Sequence, residues 1–199
     1  MGLFGSLFGK KSSQRKPVAG APSISQLKAQ MAHEDALVQR VLDAGAACKG
    51  APNLAAAIDE YEAALKAADS VGYLATHWIY LAQECVKDGQ HDRAWGILNQ
   101  TMLKAPDKVA NVRHEQLRIL KKECRWDEAL RTLGMEYASK YGDFNRSAFM
   151  RDLKPIANKL GLTDGERDQL ADVVEKAKKS NGAEGIVMKA FTKFLAGRT

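Results

Sequence analysis

The segment Trp78-Ile79-Tyr80-Leu81-Ala82-Gln83-Glu84-Cys85-Val86-Lys87-Asp88-Gly89-Gln90-His91-Asp92-Arg93-Ala94-Trp95-Gly96-Ile97-Leu98 reads as two helices back to back. Trp78, Leu81 and Ala82 stand at i, i+3 and i+4, as do Ala94, Ile97 and Leu98, which puts each trio on one face of a helix. Asp88-Gly89 breaks the pattern between them. The spacing predicts a helix from Tyr73 to Lys87 and a second from His91 to Leu103, ending before Pro106, because the residue preceding a proline is biased away from helix. Small residues at Ala82 and Ala94 let the two helices approach closely. Trp78 and Leu98 fill the space between hairpins, and Gly89 makes the turn.

The same organisation recurs on both sides. Upstream, Leu37, Val38, Val41, Leu42 and Gly45 share a helical face; a break follows at Gly50-Ala51-Pro52, and a second helix runs through Leu54, Ile58, Tyr61 and Leu65. Downstream, Val109 to Glu123 and Trp126 to about Tyr141 form a third pair. The small residues Ala57, Ala94 and Ala129 each sit near the start of a second helix, 37 and 35 residues apart. A period near 34 residues is the mark of a helical-hairpin repeat.

In the middle unit Trp78, Leu81, Ala82, Gly89, Ala94, Leu98 and Pro106 occupy positions 4, 7, 8, 15, 20, 24 and 32 of the 34-residue tetratricopeptide pattern. The chain therefore resembles the tetratricopeptide repeat superfamily over roughly residues 37 to 143. The first unit keeps Gly45, Ala57, Tyr61 and Ala64 at positions 8, 20, 24 and 27 but lacks the Trp and the closing Pro. The third keeps Trp126, Ala129 and Leu133 and carries Leu117 where a small residue is usual. The resemblance implies an all-α fold: a right-handed solenoid of about three helical hairpins whose groove holds a peptide.

The organisation expected is a basic tail at residues 1–24, repeats at 25–143 and a helical cap at 144–199. Helices at about 147 to 160, 164 to 179 and 184 to 196 make up the last part, with a capping box at Thr163 and Glu166. The final helix sets Ile186, Val187, Ala190, Phe191, Phe194 and Leu195 opposite Lys189, Lys193 and Arg198. It reads as a cap on the repeats; the rival reading is an amphipathic contact with a membrane or partner. A stacking face from Met188 to Leu195 would suit a dimer, but nothing demands one.

Of the 199 residues, 45% are hydrophobic and 27% charged, which suits a globular chain and excludes both wholesale disorder and a fibrous repeat. The net charge of +6 is uneven. Residues 1–24 carry +4, residues 25–144 carry −2 and residues 145–199 carry +4. A slightly acidic middle argues against nucleic acid as the partner, since a phosphate-tracking groove should be basic. The 35-residue spacing also resembles the pentatricopeptide family, which implies RNA binding as the alternative function. Three units would read about three bases, too few for specificity.

The tail has its own pattern. Leu3, Phe4, Leu7 and Phe8 make one apolar helical edge, followed at once by Lys10 and Lys11, then Arg15 and Lys16. That is the layout of a peripheral anchor, with apolar side chains in the lipid interface and basic ones at anionic headgroups. The rival reading is a chain start that packs on a neighbour. Met1-Gly2-Leu3-Phe4-Gly5-Ser6 also fits the myristoylation pattern at Gly2, for which the basic cluster would be the second signal. Cys48, Cys85 and Cys124 are odd in number, far apart and in no metal-ligand spacing, so they read as reduced core thiols. The expected location is cytoplasmic, with peripheral contact at the cytoplasmic face of a membrane.

No catalytic pattern emerges. His33, His77, His91 and His114 lie apart, with no HExxH, GxSxG or GxxxxGK[ST], and Asp164, Glu166 and Asp168 lack calcium-loop spacing. A non-enzymatic adaptor that needs no cofactor and no metal is the reading that follows. By the repeat register the candidate groove residues are Tyr80, Gln83, Lys87, His114, Arg118, Lys121 and Lys122. Arg118, Lys121, Lys122 and Arg125 form a basic stripe at i, i+3, i+4 and i+7. Pointing into the groove, the stripe implies an acidic or phosphorylated peptide as partner; the bland alternative is a solvated face paired with Glu115 and Glu123. The terminal-carboxylate clamp of chaperone-binding relatives is not expected, because Leu42, Ala46, Ile79 and Gln83 stand at its positions.

Overall fold

Ser23 opens the first helix with a reciprocal cap. Its hydroxyl accepts from the Gln26 amide at 3.2 Å, and the Gln26 side-chain oxygen accepts from the Ser23 amide at 2.7 Å. The computed structural model describes residues 23–139 and 143–198, all of them helix, turn or loop, with no strand. The helices are α1 (Ile24–Ala47), α2 (Leu54–Ala68), α3 (Ala75–Lys87), α4 (His91–Lys104), α5 (Val109–Lys122), α6 (Trp126–Ser139), α7 (Arg146–Leu160), α8 (Asp164–Lys178) and α9 (Ala183–Ala196), with a 3-10 turn at Pro106–Lys108.

The first six helices pair as α1·α2, α3·α4 and α5·α6, and each pair packs on the next. In addition α1 touches α3 and α3 touches α5, so the first helix of each hairpin neighbours the first helix of the next. The residues that permit this are the small ones anticipated. Ala82 and Ala94 are buried, Trp78 and Leu98 pack beside them, and Gly89 takes φ +79° at the turn. In the first hairpin Gly45 does the same work: a Cβ there would lie 3.0 Å from the Tyr61 ring.

Two apolar cores share α5. Val112 and Ile119 face the one built from α1 to α4, while Leu117 and Leu120 face the one built with α6 to α9, and Trp95 touches both. The second core is organised around α6, against which α7, α8 and α9 all pack. Gly134 lets α9 lie against α6, since a Cβ there would meet Phe191 and Val187 at 2.6 Å. Arg113 of α5 pairs with Glu184 at the start of α9, tying the last helix to the middle of the chain. Thr163 and Glu166 form the capping box predicted for α8.

Two side chains depart from expectation. Cys48 and Cys85 are buried thiols, but Cys124 is exposed at φ +57° in the α5–α6 turn, where the backbone needs a left-handed residue. In α9, Val187, Phe191 and Leu195 face the core while Ile186 is exposed, because the helix meets α6 along one narrow stripe.

Candidate functional site

A groove of about 770 Å³ opens between α3 and α5. Its apolar lining comes from Ile79 and Tyr80 of α3, Val109 and Ala110 of α5 and Pro106 from the turn between. Its charged lining is acidic. Asp107, Glu115 of α5, Glu136 of α6 and Glu184 of α9 all line it, and among the described residues no Lys or Arg does.

These carboxylates are held in place by named partners. Glu115, 8% exposed, accepts from the Gln83 amide at 2.8 Å and from Arg118 at 2.9 Å, which ties α3 to α5. Glu136, 2% exposed, lies 3.3 Å from His114 Nδ1. Glu184 pairs with the buried Arg113, and the exposed Asp107 with its neighbour Lys108 at 3.3 Å.

A second, smaller slot of about 420 Å³ lies between α1 and α3. Leu42, Gly45, Ala46 and Tyr61 give it an apolar wall, with Lys49, Glu84 and Lys87 at its edge. Tyr80 and Gln83 line both cavities, so the two are neighbours across α3. Tyr80 is half exposed, and its ring meets His77 edge-on. His77 Nδ1 lies 2.9 Å from the Tyr61 hydroxyl. Burial pushes the Tyr61 phenol up, so it stays protonated and donates, and burial pushes the His77 imidazole down, so it accepts in its neutral form.

Of the residues expected in the groove, Tyr80, Gln83 and His114 line the α3–α5 cavity and Lys87 lines the α1–α3 slot. Arg118, Lys121 and Lys122 line neither. Arg118 turns onto Glu115, Lys122 donates to the Val86 carbonyl at 3.3 Å, and Arg125 is held by Glu123 and Glu128. Lys121 is half-buried away from them, its ammonium pushed down by desolvation against the pull of Asp152 and Glu136. The basic stripe is thus divided among separate partners. The anchor residues Gly2, Leu3, Phe4, Leu7, Phe8, Lys10 and Lys11 lie outside the described residues.

Sequence reasoning missed Asp107, Glu136 and Glu184 as lining groups. Glu136 and Glu184 come from α6 and α9, outside the first-helix positions that the repeat register inspects, and no local signal marks them. Among the described residues no group of three His, Cys, Asp or Glu side chains is placed to hold a metal ion, and no helix is long and apolar enough to cross a membrane. The chain matches no protein-family model, no curated protein and no solved structure.

Proposed function

We propose that this protein is a non-enzymatic adaptor, a tetratricopeptide-like solenoid with a C-terminal helical cap, whose α1–α3–α5 surface binds a peptide segment of another protein. The observation that carries the reading is the pair of adjoining cavities along the first helices of three successive hairpins, with half-exposed Tyr80 between them. An apolar lining with a few fixed polar groups is what a peptide groove requires. The RNA-binding alternative fits less well, because the charged side chains that line the α3–α5 cavity among the described residues are four carboxylates, where a phosphate-tracking groove should be basic. The same lining weighs against the acidic or phosphorylated peptide expected from the basic stripe.

The N-terminal pattern supports a second element of the proposal, peripheral tethering at an anionic membrane on its cytoplasmic face. The two elements have separate tests. A photo-crosslinking amino acid placed at position 80 in cells should give discrete higher-mass adducts, while the same group at Leu103, 82% exposed on α4, should give none. Equal or absent adducts at the two positions would refute the adaptor reading. Unacylated full-length protein should float with vesicles containing anionic lipid and not with neutral ones, and a variant with Lys10, Lys11, Arg15 and Lys16 changed to Ser should stay at the bottom. Flotation unaffected by those changes would sink the electrostatic tether.

A further inference from the structure

The two cavities differ in chemistry, and the difference runs in one direction across the molecule. The α1–α3 slot presents exposed Leu42 and Tyr80 over a floor of Gly45, Ala46 and Tyr61, with lysines at its edge, one of them, Lys87, already on Glu84 at 2.6 Å. The α3–α5 groove presents four carboxylates, two of them on residues more than nine-tenths buried. A buried carboxylate has lost much of its hydration, and charge–charge attraction is stronger there than at an open surface.

We infer that this surface reads a segment of mixed character: a large apolar side chain seated in the α1–α3 slot and an arginine or lysine reaching between the carboxylates of the α3–α5 groove. The inference rests on the adaptor reading and names the chemistry of its partner. Packed helices lie about 8–10 Å apart, so the two adjoining grooves are separated by about that distance, which an extended chain covers in roughly three residues. The apolar anchor and the cation are therefore about three positions apart in the bound segment.

Glu115 and Asp107 have acceptor capacity beyond their own partners. A carboxylate accepts up to about four hydrogen bonds. Glu115 uses one oxygen for Gln83 and the other for Arg118, and Asp107, 64% exposed, pairs with its neighbour Lys108. Arg118 has a side chain 52% exposed against 10% for Glu115, so the guanidinium is reachable from solvent and can turn out to it. An incoming guanidinium can share Glu115 with Arg118 or displace it. Apolar ligand groups, in turn, find at the slot a surface whose large side chains, Leu42 and Tyr80, are 45% and 48% exposed.

The test is selection of a phage-displayed random dodecapeptide library on the immobilised full-length chain. Synthetic copies of the enriched sequences are then titrated in solution. Enriched peptides should pair a Leu, Ile, Phe or Trp with an Arg or Lys two to four positions away. Their affinity should fall about tenfold or more on Glu115→Gln, and also on Asp107→Asn, an exposed position whose change cannot disturb folding through a buried contact. Leu42→Ser should weaken the same peptides while leaving their salt dependence in place. Enrichment of acidic sequences that still lose binding on Tyr80→Ala would overturn the inference and leave the adaptor reading standing. Basic sequences indifferent to both Glu115→Gln and Asp107→Asn would overturn it as well. Failure of any sequence to enrich would remove both.

Discussion

Gly134 and Gly96 are both interior helical glycines, and the structure predicts opposite outcomes when each is changed to alanine. At Gly96 on α4 a new Cβ meets nothing within 4 Å. Removing a helical glycine there should stabilise the protein by about 1 kcal/mol, through helix propensity and a less flexible unfolded chain. At Gly134 on α6 the new Cβ would sit 2.6 Å from both Phe191 Cε2 and Val187 Cγ1, against an optimum near 3.5–4.0 Å for carbon pairs. Neither neighbour has room to yield, since both are fully buried and α9 is fixed at its start by the Arg113–Glu184 pair. Relief requires α9 to move off by roughly 1 Å, and overpacking of this sort costs about 1–3 kcal/mol. The propensity gain is common to both substitutions and cancels in their difference. Gly134→Ala should therefore be about 1–3 kcal/mol less stable than Gly96→Ala, a separation of roughly 2–12 °C in Tm for a chain of this size. Urea titration of the two variants side by side measures the gap, and hydrogen exchange localises it, because α9 amides should lose protection first in Gly134→Ala. Equal stabilisation by both substitutions would mean that α9 does not pack against α6 through Gly134.

Protonation of His77 offers a test of the slot floor. Its imidazole is held below the ordinary value of 6.5 by burial, so the unfolded chain takes up the proton first as pH falls. Stability is whole above 6.5 and declines below it, and His77→Asn should remove that component of an acid titration followed by Tm. A chain whose pH dependence is the same with and without His77 would contradict the neutral acceptor assigned to it. Thr163→Ala should cost about 1 kcal/mol by removing the hydroxyl that accepts from the Glu166 amide at 3.3 Å; thermal unfolding checks it, and no loss would mean the cap is idle. Glu184→Ala leaves Arg113 buried without its carboxylate and should destabilise by about 1–3 kcal/mol, at the low end of broken buried pairs because Glu184 is 36% exposed. Its hydrogen-exchange signature belongs at the α9 N-terminus, and protection lost elsewhere first would argue against the α5–α9 tie.

Local rules were legible wherever the determining residues were near one another in the chain. The α3 helix begins two residues after the expected Tyr73 and ends where expected, at Lys87, while α4 runs one residue past Leu103. The Thr163 cap forms as its spacing requires, and Gly89 turns the hairpin. The close approach of Gly45 to Tyr61 follows the small-residue position of the repeat pattern. Tyr80, Gln83 and His114, which line the α3–α5 cavity, sit on first helices, which the 34-residue register inspects.

The charge of the groove was not legible, and the reason is distance along the chain. Four basic residues at helical spacing look like one stripe, yet Arg118 and Lys122 meet Glu115 and the Val86 carbonyl, and Lys121 faces the fields of Asp152 and Glu136, all contacts decided by how helices pack. Glu184 lines the groove beside a partner 71 residues away, Arg113. By itself the sequence determined the helices, their caps and turns and the pairing of neighbours, because those depend on hydrogen bonds and apolar spacing within a few residues. The tertiary structure alone decided that α9 returns to α6, that Glu136 and Glu184 join Glu115 in lining one cavity, and that Lys121 and Lys122 do not line it. Such placements depend on which faces remain to be buried once the local elements have formed.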